Sequence, residues 1–180
     1  MNSSLSRRGS RDQAPRVQLP LLDRLIDDAP DHLREAPLSL GDAENALKNS
    51  VRRDLEALLN ARHRWRSLPA RYVELPTSLL GYGISEFAAG AFNNPEQRDR
   101  LRAEIEQTIR QFEPRLTGVR VNLVERNDSL DSTLRLQIEA MLRTEPAPEP
   151  ISFETLVDSA TTEVMVKPDS EKAAANSGDV

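Results

Sequence analysis

The sequence has no cysteine, and histidines and aromatic residues are scarce. Its 180 residues include two histidines, one tryptophan, two tyrosines and four phenylalanines. The absence of cysteine excludes disulfides, thiolate nucleophiles, iron–sulfur clusters and cysteine-based zinc sites, and it fits a reducing compartment. So few aromatics argue against a base-stacking surface, and His32 and His63 lie too far apart in sequence to form a short metal-binding motif.

Long apolar runs and a dominant charge of one sign are also missing. No segment approaches the roughly 20 apolar residues that span a bilayer, and no apolar stretch of a secretory signal follows the charged N-terminus. Residues 1–16 carry a charge of +3, residues 145–180 carry −6, and the net charge is −5. Because nucleic-acid binding requires a basic face, we expect a soluble cytoplasmic protein with no general affinity for nucleic acid.

The chain divides into a central domain with polar ends. Residues 1–18 lack apolar periodicity, and residues 168–180 are polar. We therefore expect a disordered arm at 1–18 and a disordered tail at 168–180. Residues 19–38 predict a short docking helix, bracketed by prolines, and a linker. So short a helix is marginal alone, and the sequence leaves open whether it docks on its own domain or on another chain. Residues 39–167 form the remaining domain.

Two longer amphipathic helices are predicted at the start of this domain. The first begins at Ser39 or Asp42, either of which has a short side-chain oxygen suited to capping, and its apolar stripe ends near Arg62. The second begins at Asn94 with Pro95 in the first helical position. It ends near 112–113, because Pro114 disfavours helical geometry in the residue before it.

The apolar period then changes from helical to alternating. Residues 119–124 and 134–139 alternate in the manner of two strands, most simply an antiparallel hairpin, and residues 151–157 and 162–166 offer further strands. Helices first and strands second indicate an α+β fold, with N-terminal helices packed on a small antiparallel sheet.

No catalytic or metal-binding motif accompanies this pattern. We find no zinc-protease, calcium-loop, dinucleotide or phosphate-loop signature, so no enzyme activity, metal or cofactor is expected. The Arg62–Arg71 segment has several arginines and one tryptophan. It is interpreted as a solvated or protein-facing loop, with a nucleic-acid-binding module as the alternative.

One charged corner links the second helix to the first strand. Glu113 and Arg115 flank Pro114, so an acceptor and a planar bidentate donor lie on either side of a rigid residue. Two interpretations stay open from the residues alone. The corner is either a surface ion pair of little energetic value or a rigid feature that a partner recognises.

Four segments, in order, match a known family. They are an opening box at 19–25, a helix signature at 50–64, a glycine turn at 78–87 and a Glu-Pro-Arg motif at 112–116: LPLLDRL, SVRRDLEALLNARHR, SLLGYGISEF and FEPRL. The chain resembles the TssE family of type VI secretion baseplate subunits. That family is similar to the lysozyme-related wedge proteins of phage baseplates, the GPW family. The resemblance covers about residues 19–167.

The resemblance implies a structural subunit of a contractile injection machine, located in the bacterial cytoplasm at the inner face of the membrane. The implied partners are the wedge proteins TssF, TssG and TssK and the sheath proteins TssB and TssC, without nucleic acid and without membrane insertion. It implies that Glu113, Pro114 and Arg115 bind a baseplate partner. It also implies that sheath polymerisation starts by strand pairing on an open sheet edge, which we expect at 162–166 or 134–140.

A peptidoglycan-cleaving enzyme is the remaining alternative, because of the lysozyme label. Phage-type lysozymes place Glu, Asp and Thr at fixed spacings. Only Glu149 has an aspartate at the required distance, Asp158, and Val164 occupies the position of the threonine. The spacing therefore argues against this chemistry.

Overall fold

The protein is seen in a computed structural model that describes residues 20–26, 39–63, 71–86, 94–124, 133–144, 147–158 and 161–169. The helices are α1 (Leu21–Leu25), α2 (Leu40–Asn60) and α3 (Pro95–Phe112), with a 3₁₀ turn at Leu79–Gly81. The strands are β1 (Arg62–His63), β2 (Ile84–Ser85), β3 (Leu116–Leu123), β4 (Thr133–Leu142), β5 (Glu149–Asp158) and β6 (Val164–Pro168). The arm predicted at 1–18, residues 27–38 of the predicted linker and the tail beyond 169 lie outside the described residues.

The two long helices begin and end where their capping residues predict. The Ser39 hydroxyl accepts a hydrogen bond from the amide of Asp42 at 3.2 Å and starts α2. The Asn94 side chain accepts from the amide of Glu96 at 2.9 Å, with Pro95 in the first turn of α3. Both caps satisfy amides that the helix itself leaves free.

A four-stranded antiparallel sheet follows, in the order β3-β4-β5-β6. Ile138 in β4 lies opposite Val121 of β3 and Phe153 of β5, so one face of the sheet is apolar. The predicted hairpin is therefore confirmed, as is the α+β class. β4 and β5 are the interior strands, and β3 and β6 are the edges.

The core lies between this apolar sheet face and the stripes of α2 and α3. α2 packs mainly against β6, and α3 packs mainly against β3. The side chains with essentially no exposure come from all these elements: Val51, Leu55, Leu59, Ile105, Ile109, Val119, Val121, Leu136, Ile138, Leu142, Val157, Val164 and Val166. Burial of this kind is the main favourable contribution to folding.

A second, two-stranded parallel sheet joins β1 to β2, with Arg62 opposite Ile84. The chain reaches it through Gly83, which has a φ of +103°. A Cβ atom there would lie 2.3 Å from the carbonyl oxygen of Ala61. Glycine is therefore required both for the backbone angle and for the close approach, which fits the glycine turn noted at 78–87.

The short helix α1 contacts its own domain through a charge. Asp23 accepts a hydrogen bond from Arg53 of α2 at 2.7 Å. The leucines that predict docking face outward instead, with Leu21 and Leu25 more than two-thirds exposed. Within the described residues, α1 thus makes an ionic contact with its own domain and leaves its leucines exposed. Docking of these leucines on another chain stays a prediction.

Candidate functional site

The Glu-Pro-Arg corner is a cluster of hydrogen-bonded charges where α3 ends and β3 begins. The Glu113 side chain is only 6% exposed, and its carboxylate accepts two hydrogen bonds from the guanidinium of Arg115, that from Nε at 2.6 Å. The backbone amide of Arg115 donates to the same carboxylate. Pro114 lies between them at the surface. The corner therefore holds a buried glutamate that is firmly bonded to a half-buried arginine, rather than a loose surface pair.

Helix α2 completes the cluster. Arg115 donates to Asp54 at 2.7 Å and to the Ser50 hydroxyl at 3.3 Å. Arg53 donates to the same hydroxyl and to Asp54. Hydrogen bonds to Glu113, opposed by burial and reinforced by Asp54, hold the pKa of Arg115 above its ordinary value. The buried serine is thus shared between the corner and the arginine that holds α1.

A cleft of about 330 Å³ opens beside the corner. Asp54, Glu113 and Arg115 form its polar side. Its apolar side includes Tyr82 and Phe112, whose rings meet edge to face with centroids 5.3 Å apart. Burial, together with the negative charges of Asp54 and Glu113, raises the pKa of Tyr82. The cleft therefore combines an aromatic wall with carboxylates.

The β6 edge of the sheet is closed by side chains of α2. Asn60 donates to the carbonyl of Val164 at 2.7 Å and accepts from the amide of Val164 at 2.9 Å. Glu56 accepts from the amide of Val166 at 3.1 Å, and Arg52 donates to the carbonyl of Val166 at 3.2 Å. Together these side chains occupy the backbone positions that a neighbouring strand would use.

The β3 edge is closed in the same way by α3. Glu106 accepts from the amide of Val121 at 3.0 Å, and Arg102 donates to the carbonyl of Val121 at 3.3 Å. Arg110 donates to the carbonyl of Val119 at 2.7 Å. On each helix the capping residues are spaced by four, which places them on one face. That spacing is the sequence signal by which these residues could have been found.

The edge prediction is corrected at one of its two positions. Residues 134–140 belong to β4, which is paired on both sides, so they cannot serve as an edge. Alternation alone predicts a strand but not its neighbours, which is why the sequence left both positions open. The other position falls at β6, which is an edge strand whose backbone groups already have partners in α2.

The lysozyme-like pair does not come together. Glu149 and Asp158 lie at the two ends of β5, roughly 30 Å apart for an extended strand of this length. Glycosidases hold their two carboxyl groups within about 10 Å. Glu149 is bound instead by Lys48 of α2 at 2.6 Å. This pair therefore cannot act on a single glycosidic bond.

The described residues give no support for a metal site or for nucleic-acid binding by the Arg62–Arg71 segment. No group of histidine, aspartate and glutamate side chains within the described ranges could hold a metal ion. Arg62, at the start of the predicted arginine-rich loop, donates to the carbonyls of Leu59 and Thr162, and burial lowers its pKa. Arg71 lies over the ring of Tyr72 at 4.8 Å. Residues 64–70 lie outside the described part of the loop.

Three members of the site were missed by the sequence analysis. Ser50 and Asp54 lie one turn apart on the polar side of α2, and Tyr82 lies in the glycine turn. The spacing of Ser50 and Asp54 predicts a shared face, but nothing in the pattern shows that this face meets the corner.

In the part of the chain that the structure describes, no helix is long and apolar enough to cross a membrane.

The fold and the site together define a small α+β domain in which hydrogen bonds of charged side chains join the helices to the sheet. A model of the family "Baseplate wedge protein gp25" matches residues 45–147, which is more than half of the chain. The chain therefore belongs to this baseplate wedge family, as the resemblance implies. Members of the family are structural components of baseplates. No curated protein sequence matches the chain.

Proposed function

We propose that this protein is a structural, non-enzymatic subunit of a type VI secretion baseplate, of the TssE kind. The observation that carries the proposal is the family match over residues 45–147, which includes most of α2, all of α3, the corner, β3 and β4. The order of four sequence segments, ending in the Glu-Pro-Arg motif, supports the type VI assignment over other contractile machines. The proposed location is the bacterial cytoplasm, at the inner face of the membrane.

The corner is the proposed contact with the wedge proteins TssF, TssG and TssK. Glu113 is buried and bound within the chain, so a partner meets Pro114, the half-buried Arg115 and the cleft beside them. A rigid corner favours binding because little side-chain entropy is lost when the partner docks. Glu113 then supports the contact by holding Arg115 in place.

Affinity capture from the producing cells tests this proposal. The tagged wild type is expected to recover TssF, TssG or TssK, and the double variant Glu113→Ala with Arg115→Ala is expected to lose them. The matched control is Lys48→Ala with Glu149→Ala, which removes another ion pair between two elements, away from the corner. Recovery by the corner variant at the control level would remove the site. Recovery by no form of the folded protein would remove the role.

Sheath initiation on TssB and TssC is proposed to use strand pairing at β6. The backbone groups that a strand would bind, at Val164 and Val166, are held by Asn60, Glu56 and Arg52. Strand pairing there consequently requires exchange, in which the incoming strand replaces these side chains. Because the buried face of α2 packs against β6, this exchange involves displacement of part of the helix.

One pair of variants separates strand pairing from other modes of contact. Val166→Pro removes the outward amide that an added strand needs and that Glu56 holds in the free subunit. Proline is tolerated on edge strands, and β6 is one. Val166→Ala loses similar apolar contacts but keeps the amide. We expect both variants to enter the baseplate and only Val166→Ala to start sheaths, as seen with a fluorescent sheath subunit. Equal sheath formation by both would contradict strand pairing at β6.

A further inference from the structure

The cleft beside the corner has the size and walls of a pocket for one partner side chain. Its volume of about 330 Å³ is at the small end of protein ligand sites. The rings of Tyr82 and Phe112 form a rigid aromatic wall, and Leu58 and Pro114 add apolar surface. Preformed pockets of this kind, with buried aromatic groups, are typical of the residues that dominate protein–protein binding energy.

The charges of the cleft are unequal. In the connected cluster, the carboxylates of Asp23, Asp54 and Glu113 outnumber the guanidinium groups of Arg53 and Arg115 by one. Arg115 cannot attract an anion strongly, because it already binds two carboxylates. Asp54 is the exposed acid of the pair that lines the cleft, with a third of its side chain open to solvent.

These features discriminate between possible occupants. An apolar side chain would bury the exposed third of the Asp54 side chain without adding to the hydrogen bonds that it accepts from Arg53 and Arg115, and further burial of a charged group is costly. An acidic side chain would meet a cluster with excess negative charge. A guanidinium group can donate to Asp54 while its plane stacks on an aromatic ring, and its stem covers the apolar wall.

We propose that this cleft binds an arginine side chain of a neighbouring baseplate protein. This inference rests on the proposed function for the identity of the neighbour, but the chemistry of the cleft does not depend on it. Asp54 receives the guanidinium group, Tyr82 and Phe112 receive its face and stem, and the Glu113–Arg115 pair fixes the opening. The proposal thereby assigns Asp54 and Tyr82, which the sequence did not single out, to partner recognition.

A titration with small probes tests the ligand class without any partner protein. The probes are the N-acetyl methylamides of arginine, norleucine and glutamate, and the readout is the ring-proton signals of Tyr82 and Phe112 in NMR spectra. The chain has only two tyrosines and four phenylalanines, so these signals are readily assigned. The arginine probe is expected to shift both rings saturably, and the other two probes are not.

Asp54→Asn removes the charge and nearly preserves the shape of the side chain. It is expected to weaken binding of the arginine probe roughly tenfold, as for the loss of a hydrogen bond to a charged group. The matched control is Asp42→Asn, an exposed acid at the start of the same helix, which should bind like the wild type. Should Asp54→Asn fail to fold, the comparison of the three probes on the wild type decides alone.

Three outcomes overturn the inference: no shift with the arginine probe, an equal shift with norleucine, or equal affinity in wild type and folded Asp54→Asn. The capture experiment separates this failure from that of the proposed function. Capture of wedge proteins without probe binding keeps the baseplate role and removes the arginine pocket. Probe binding without capture keeps the pocket and removes the role.

Discussion

The sheet edges and the Glu-Pro-Arg corner use the same kinds of side chain with opposite results. At the β6 edge, Asn60 and Glu56 of α2 bind backbone groups of the strand, so the edge is closed. At the corner, Glu113, Arg115 and Asp54 bind one another, and a cleft stays open beside them. Polar side chains therefore seal one part of the molecule and shape a recess in the other.

The difference lies in what each set of side chains satisfies. Unpaired backbone groups of an edge strand attract other strands and cause aggregation, so their capping by a helix keeps a free subunit apart from its neighbours. At the corner the charged side chains bind one another and cap no strand edge. Their carboxylates outnumber their guanidinium groups by one, which favours a positively charged partner. In the isolated protein, contact with a partner is consequently easier at the corner than at the edge.

The largest expected effect comes from breaking the core that both regions share. Ile105 is completely buried on α3, beneath the capped β3 edge and about two turns from the end of the helix. Ile105→Ala is expected to lower the free energy of unfolding by about 2–5 kcal/mol, through lost burial and a cavity. Urea denaturation measures it, with the exposed Gln107→Ala as control. A change no larger than the control would mean that this helix face is wrongly placed.

The next effect isolates the corner. Arg115→Ala leaves the Glu113 carboxylate buried without its guanidinium partner, so we expect a loss of about 3 kcal/mol, as for other buried pairs broken on one side. Arg143→Ala changes a nearby exposed arginine and should have little effect. Thermal and urea unfolding provide the comparison. A loss as small as that of the control would mean that the corner behaves as an ordinary surface ion pair.

A smaller, more local effect is expected at the sheet edge. Asn60→Ala removes both hydrogen bonds to Val164, and one or two unsatisfied backbone groups cost about 1–3 kcal/mol. Hydrogen exchange should accelerate at the Val164 amide, while the amide of Met165, which lies opposite Leu156 of β5, changes less. Asn49→Ala, an exposed asparagine on the same helix, is the control. Unchanged exchange at Val164 would show that Asn60 does not guard the edge.

The sequence predicted those features that depend on local patterns. Ser39, Asn94 and Pro114 define the helix ends because their effects act within one turn of the backbone. The alternation in β3 and β4 predicted strands and a hairpin for the same reason. The Glu-Pro-Arg motif was visible because its three residues are adjacent in the chain.

The features that could not be predicted depend on which elements meet in space. Asp54 and Arg115 are 61 residues apart, and Asn60 and Val164 are 104 apart. The spacing of four along α2 marks a common face, but only the packed fold shows that one face meets the corner and another meets β6. Position within the sheet is equally nonlocal, which explains why β4 was considered as an edge.

The smallest expected effect concerns α1 and its ion pair between Asp23 and Arg53. Burial disfavours the charged form of Asp23, but hydrogen bonds from Arg53 and Ser50 outweigh it and lower its pKa below the ordinary value of 3.8. The stabilisation is therefore present above that pH and is lost as the pH falls through the lowered value in the folded protein. Its size should be about 1 kcal/mol or less, because the Arg53 side chain is 43% exposed.

An acid titration followed by NMR measures this release. In the wild type, the amides of Leu22 and Leu25 should shift together below pH 3.8, while the core signals stay constant. In Asp23→Asn the shifts should already be at their acid values at neutral pH. If the wild-type signals of α1 did not move, the ion pair would not be what holds the helix. Its outward-facing leucines would then have to be held by a contact other than the one between Asp23 and Arg53.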